Sequence, residues 1–598
     1  MSAPHFSKMI FQQAEKYQDR SVFFTRNEET KSWDPITWNN FARETTQAAR
    51  SLLTLATKQG DRIGIYAQNM VESFYVDFGG FAVGAVSVPM FATASTSQIA
   101  YIINDAGIET LFVGEQQQYD NALKASDNCP NLQRIIVFDK KTDLHNNGLG
   151  FYYSDFIELG SPKYDKEIAA RQAQASPDTI AIIMYTSGTT GEPKGVILNH
   201  SNFLEAMRIH DLALPTFSEN DRSIAFLPFS HIFERAWCYY CLYRGATIYI
   251  NLRPQEIQAA IREVRPTVMC SVPRFWEKVY IGIRERMDSF KPYMKGIVTW
   301  ALALGELYNL HYLREEKKPP FFLKLKYKLV DKLIFAKVKK TVGIENANFF
   351  PTAGAALEDG INVFLKSMGI PIVVGYGLTE STATVCCFRP TRYIIGSAGK
   401  LMDGIQVRIG EDSEIQLKGK TITTGYYNKP EATEAAFIDG WFRTGDAGKL
   451  DNEGNLTLVE RIKDLFKTSN GKYIAPQQIE MKLGTSKYID QVAAIGDQRN
   501  YVTAIIVPAL PELEKLAAER SIRYGLIDEL LTHPDIIKFY QGLIDGLQQE
   551  MASYEKIKKF TLIKKGFTIE SGEMTSTLKL RRAVIMQNYR KLIDEMYK

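Results

Sequence analysis

Short runs of β-branched and apolar residues recur along this chain, each followed by a stretch with helical apolar spacing. That alternation restricts the fold to layered α/β architectures. Arg62–Tyr66, Val86–Met90 and Thr110–Val113 read as strands, residues 38–55 carry helical spacing, and a helix is expected from Val71. The pattern continues through 223–227, Thr247–Ile250, 267–269 and 370–374. It predicts largely parallel sheets with ligands at the carboxyl ends of strands. At 598 residues the chain should hold more than one domain.

Composition narrows the function classes. A net charge of +4 is too mild to argue for nucleic acid. Six cysteines in this length make no disulfide framework. Cys238 and Cys241 have C-x-x-C spacing without a second pair, so they read as buried thiols, as do Cys386 and Cys387. A reducing, cytoplasmic compartment follows. The first residues show no basic region followed by an apolar stretch, so no signal peptide is expected. The longest apolar stretch, 78–92, is broken by Gly79, Gly80, Gly84 and Pro89, and reads as too short to span a membrane.

The chemistry is concentrated in residues 185–195. Thr186, Ser187, Thr189 and Thr190 supply hydroxyls, Gly188 and Gly191 permit close backbone approach, and Lys194 adds a mobile cation. Successive N–H groups in such a turn form an anion-binding nest, here suited to the phosphates of ATP. A P-loop requires Gly-Lys followed by Ser or Thr opening a helix. Here Lys194 is followed by Gly195 and a second apolar run, 196–198, while 179–184 before the loop reads as a buried strand. The loop therefore links strand to strand, with a helix expected only from Ser201 or Asn202.

This loop resembles the phosphate-binding signature of the acyl-adenylate-forming enzymes, and four further segments follow in that family's order. The resemblance implies a large multi-sheet N-terminal domain, 1–460, and a small mobile α+β domain, 461–598. It implies that Tyr376 in Gly375-Tyr376-Gly377 packs on adenine, that Thr379 touches the α-phosphate, and that Glu380 holds Mg²⁺. Segment 351–356, with Gly354, Ala355 and Ala356, is similar to the small-residue strip beside adenine and the acyl carbonyl. Asp446, in Trp441-Phe-Arg-Thr-Gly-Asp446, takes the ribose hydroxyls, with Arg461 as a second ribose contact and Lys463 as the hinge. His231, in a segment ending Glu234-Arg235, is placed beside the acyl carboxylate. Lys579 matches the catalytic lysine of adenylation, although Leu578 stands where many members have glycine. Thr186, Glu380, His231 and Lys579 form the implied catalytic set.

The resemblance extends to long-chain fatty acyl-CoA synthetases, which carry an insertion corresponding to about 285–345. Within it, 317–340 holds Pro319, Pro320 and a lysine-rich amphipathic helix expected from Leu323. Such a helix suits either a solvated face or an anionic membrane surface. The implied reaction joins a medium-to-long-chain fatty acid to CoA through an acyl-adenylate, with ATP and Mg²⁺, releasing AMP and pyrophosphate. The alternatives are a fatty acyl ligase acting on a carrier protein and a degenerate lipid-binding homologue. A homodimer and a peripheral position at the inner face of a membrane are compatible with this reading.

Overall fold

The computed structural model describes residues 4–186, 192–468, 473–569, 571–575 and 579–598. Three sheets build the larger part of the molecule. A seven-stranded sheet runs in the order Gly150–Tyr152, Arg134–Val137, Thr110–Val113, Arg62–Tyr66, Val86–Met90, Ile180–Thr186, Lys194–Asn199. Its strands are parallel except for the last pair, an antiparallel hairpin in register from Ile180 with Asn199 to Thr186 with Lys194. The strands that flank residues 187–191 thus pair with each other, and Ser187, Gly188, Thr189, Thr190 and Gly191 lie outside the described residues.

A four-stranded sheet joins Arg222–Ala225, Thr247–Ile250, Ser21–Arg26 and Trp33–Thr37. The nine-stranded sheet corrects the expectation of largely parallel pairing. Phe350–Thr352 and Ile372–Tyr376 run parallel, but the pairs that follow are antiparallel, among them the tight hairpin pairs of Gln406–Ile409 with Glu414–Lys418 and of Trp441–Leu450 with Asn455–Arg461. Three local readings also change. Residues 267–269 form only a bridge at Val268, between Ser223 and Phe349. The strand expected at 370–374 is Ile372–Tyr376, so Gly375 and Tyr376 lie within it. The helix after the hairpin starts at His200, capped by Asn199, whose N–H donates to Asn202 Oδ1 at 2.7 Å.

The glycine-interrupted apolar stretch is a helix, Glu72–Val83, and a strand, Val86–Met90. Gly79 lets the helix touch its neighbour Trp38–Thr54: a Cβ there would stand 2.9 Å from the Ala48 Cβ. Smaller side chains at the contact shorten the interaxial distance. The six cysteines are buried and free.

From residue 489 a separate three-stranded sheet begins, Ile489–Ile495, Val502–Pro508 and Ile557–Leu562, with its own core around Val492, Ile506, Leu513 and Tyr540. Among the described residues, three ion pairs hold the segment 482–490 against the larger part: Lys482 to Glu358 at 3.0 Å, Arg274 to Asp490 at 3.3 Å and Lys487 to Glu285 at 3.6 Å.

The basic segment belongs to a helical layer. Helix Pro292–Glu306 continues as π-turns over Leu307–Leu313. After a break, helix Phe321–Val330 continues through π-turns Asp331–Phe335 into Ala336–Val342. Ala301, Leu310, Val330 and Phe335 anchor it in the core. Among the described residues no helix is long and apolar enough to cross a membrane.

Candidate active site

One cavity of about 1390 Å³ lies where the two parts meet. Every described residue singled out from the sequence lines it: Thr186, Lys194, His231, Gly354, Ala355, Ala356, Gly375, Tyr376, Gly377, Thr379, Glu380, Asp446, Arg461, Lys463 and Lys579.

Backbone geometry shapes the small-residue walls. Gly354 has φ +93°, a conformation that favours glycine. A Cβ on Gly377 would stand 1.3 Å from the carbonyl oxygen of Ala383, so no side chain fits there. Beneath the 353–356 strip, Trp276 Nε1–H donates to Thr352 Oγ1 at 2.9 Å.

Asp446 sits inside strand Trp441–Leu450, not in a simple turn, and its register partner on Asn455–Arg461 is Arg461. The hairpin thus places both expected ribose contacts opposite each other, with Arg461 Nε 3.4 Å from Asp446 Oδ1. Gly445, at φ +71°, donates its N–H to Glu414 Oε1 at 3.1 Å. The Tyr376 hydroxyl donates to Asp446 Oδ2 at 2.6 Å, which fixes the aromatic face relative to the Asp446 carboxylate.

Glu380 accepts from the Tyr426 hydroxyl at 3.0 Å. Burial raises its pKa, opposed by hydrogen bonds and by the charge of Arg461. A cation here would hold the carboxyl ionised. Among the described residues no group of three His, Cys, Asp or Glu forms a protein cage. One carboxylate in a cavity also lined by Thr186 and Lys194 is a donor set that fits Mg²⁺, which binds through few carboxylates plus phosphate oxygens. Lys194 Nζ lies 5.0 Å over the Tyr426 ring.

His231 caps helix Ile232–Arg244, its Nδ1 accepting from Phe233 N–H at 3.2 Å, so the ring proton resides on Nε2. Burial, reinforced by the charge of Lys579, pushes its pKa down to about 4. It is a neutral hydrogen-bond donor at ordinary pH. Its loop is held from beneath: Asn69 donates to Leu227 O at 2.9 Å and accepts from Phe229 N–H at 3.0 Å. Arg235 donates to Phe229 O at 2.6 Å and pairs with buried Asp77, which also accepts from Tyr239 and Ser87. The Glu234-Arg235 sequence therefore supports the loop instead of facing the cavity.

Lys579 reaches the cavity from the small domain. Burial lowers its pKa, as does the charge of Arg461, while Asp446, Asp464 and Glu460 oppose that shift. The lysine lines the same cavity as His231 and contributes to the lowering of that ring's pKa.

Beyond His231 the cavity turns apolar between helices His200–Ala213 and Ile232–Arg244, lined by Phe203, Met207, Leu214, Trp237 and Tyr240. His210 lies in this wall with its polar atoms satisfied: Nδ1 stands 2.6 Å from Ala206 O and Nε2 3.0 Å from Thr384 Oγ1. Sequence reasoning missed these residues and Tyr426. At helical spacing they are indistinguishable from ordinary core residues, and no motif marks them.

A profile described as AMP-binding enzyme matches residues 10–427, and one described as AMP-binding enzyme C-terminal domain matches 463–598. The chain is an AMP-binding enzyme. It is similar to the long-chain-fatty-acid–CoA ligase FadD15 of Mycobacterium tuberculosis, 29% identical over 94% of this chain and 92% of the relative. It is also similar to the long-chain-fatty-acid–CoA ligase ACSBG2 of Mus musculus, 28% identical over 98% and 92%. The fold matches the anthranilate CoA ligase AuaEII in complex with anthranoyl-AMP, with a TM-score of 0.74 at 17% identity over 100% of this chain and 99% of that one. It also matches the A domain of carboxylic acid reductase from Segniliparus rugosus, in complex with AMP and a co-purified carboxylic acid, with a TM-score of 0.75 at 20% identity over 99% and 94%. The enzyme thus has the large adenylation domain and smaller C-terminal domain of its family.

Proposed function

We propose that this enzyme activates long-chain fatty acids. ATP and a fatty acid carboxylate give an acyl-adenylate and pyrophosphate, and the CoA thiol then displaces AMP to give acyl-CoA. The observation that carries this reading is one continuous cavity. It joins the Asp446 and Glu380 carboxylates to an apolar branch past His231 and Lys579. The names of the two ligase relatives agree with it.

Each side chain has a task in that geometry. Asp446 accepts from the ribose hydroxyls, and the Tyr376 ring packs on adenine. Thr186, Thr379 and Lys194 contact phosphate. Glu380 would hold Mg²⁺, which supplies neutralisation of phosphate charge when bound. A carboxylate is already ionised at neutral pH, so His231 need not act as a base. Its Nε2–H donates to the acyl carboxylate and orients it. Lys579 offsets the repulsion between carboxylate and phosphate. One positive charge at ~4 Å contributes roughly 4 kcal/mol at an effective dielectric of about 20.

The deciding measurement is AMP and pyrophosphate release with short to long fatty acids, with and without CoA. Chain-dependent AMP formation with an acyl-CoA product supports the ligase. Adenylate that accumulates without transfer to CoA moves the acceptor to a carrier protein. No turnover with any fatty acid sinks the reading.

Rotation of the small domain about Lys463 would exchange the Lys579 face for a thiol-accepting one. Lys463→Pro fixes φ at the hinge and is expected to slow thioester formation more than adenylation. Equal loss in both half-reactions would argue against rotation.

The 317–340 segment is proposed as the contact with an anionic phospholipid bilayer at the cytoplasmic face. Half of the exposed large apolar side chains among the described residues lie between 293 and 333. They include Trp300, Phe321, Phe322, Leu325 and Leu329, with Phe321 and Phe322 each 73% exposed. Exposed Lys317, Lys318, Lys324, Lys326 and Lys328 flank them. Apolar tips beside cations complement a bilayer with anionic headgroups. Removing both phenyl groups by F321A/F322A deletes about 3 kcal/mol of apolar transfer, and should weaken binding to anionic vesicles about a hundredfold. Unchanged cosedimentation would exclude this face as the anchor.

A further inference from the structure

We propose that the ion pair between Glu480 and Arg582 is a positioning clamp that holds Lys579 in the cavity for adenylate formation. The proposal rests on the adenylation role given to Lys579 above. Lys579 lies on a narrow hairpin: Met574 bridges Leu580, Thr575 N–H donates to Lys579 O at 2.8 Å, and Lys579 N–H donates to Thr575 Oγ1 at 3.1 Å. One arm is anchored within the small domain, where Asn588 donates to buried Glu573 at 2.9 Å. The other arm leaves through Arg582. Its two terminal nitrogens reach the two oxygens of Glu480 at 3.1 and 3.3 Å. Both side chains are largely buried, and a two-point Arg–carboxylate pair fixes orientation as well as distance.

Glu480 is itself held. It accepts from Ala494 N–H at 2.8 Å on the three-stranded sheet. It lies on helix Pro476–Gly484, whose Lys482 crosses to Glu358, two residues beyond the 353–356 strip. A continuous set of contacts thus runs from the adenine-side wall through Lys482 and Glu480 to Arg582, three residues from Lys579. When the small domain docks in this orientation, the clamp sets where the ammonium points. Once the domain has rotated away, the same pair has no bearing on thiol attack.

The charges facing Glu480 are Arg582, Glu460 and Asp464. Burial pushes its carboxyl up to about 7 against the opposing charge of Arg582. The carboxyl is therefore ionised above pH 7 and protonated below it. The charged clamp is complete at alkaline pH and lost as pH falls through 7, so adenylation should show an acidic limb there.

The test uses the full-length enzyme with Glu480→Gln and Arg582→Lys, and Lys579→Ala as reference. Adenylation is read as single-turnover pyrophosphate release with ATP and a fatty acid. Thioester formation is read from supplied acyl-adenylate and CoA. The expected result for both clamp variants is an adenylation rate about tenfold lower, with KM for ATP within twofold and thioester formation unchanged. The acidic limb near pH 7 should disappear in Glu480→Gln. Equal losses in both half-reactions, or a retained acidic limb with no loss of rate, would overturn the clamp. If Glu480→Gln does not fold, Arg582→Lys decides by the same comparison. If Lys579→Ala itself spares adenylation, the role of the lysine fails; if only the clamp variants spare it, the clamp alone fails.

Discussion

Lys579→Ala is expected to lower adenylate formation by about 10²–10³, while transfer from preformed acyl-adenylate to CoA changes little. The magnitude is that of removing one preorganised electrostatic group aimed at developing charge. The asymmetry follows from placement. In this domain arrangement Lys579 lines the same cavity as His231, Arg461 and Asp446. Its pKa is lowered by burial and by Arg461, and partly restored by Asp446, Asp464 and Glu460, so the carboxylates around the site sustain its charge. Rapid-quench measurement of pyrophosphate, paired with thioester formation from synthetic adenylate, reads the two steps separately. A variant that loses both equally would place Lys579 among the structural residues of the small domain.

Asp446→Ala should weaken AMP binding by about 10²–10⁴. Each of two hydrogen bonds from ribose hydroxyls to a carboxylate contributes roughly 1.5–3 kcal/mol. An ionised carboxyl offers about four lone-pair sites. Among the described residues, Tyr376 takes one on Oδ2 and Arg461 approaches Oδ1, which leaves room for a diol. The substitution also removes the carboxylate acceptor of the buried Tyr376 hydroxyl. Asp446→Asn keeps an acceptor and should lose less. Calorimetric titration with AMP checks both, and an unchanged Kd for the alanine variant would move the ribose elsewhere.

Legibility varied with how local the cause was. The strands Arg62–Tyr66, Val86–Met90, Thr110–Val113 and Thr247–Ile250 were readable because alternation and β-branching act over a few residues. The 267–269 run reads as a strand on the same grounds, yet pairs only at Val268, because partners on both sides decide whether a ladder extends. The motif residues were legible through resemblance, and their convergence on one cavity is a tertiary fact. Nothing near Arg235 in the chain announces Asp77 as its partner, and nothing near Arg582 announces Glu480. The basic segment was visible as charge and apolar residues, but which of its faces is covered depends on the core position of Ala301, Leu310, Val330 and Phe335.

By itself the sequence determined the α/β layering, the strand-to-strand character of the phosphate loop, and the residue types able to bind a nucleotide. These depend on local periodicity, glycine placement and side-chain chemistry. Only the tertiary structure decided that Asp446 faces Arg461 across a hairpin, that His231 is a neutral donor, and that Lys579 reaches the cavity from another domain. It also decided which helices enclose the apolar branch. Those outcomes depend on distance and burial between segments far apart in the chain, where the Coulomb and desolvation terms that set a pKa or an ion pair are not expressed in any local pattern.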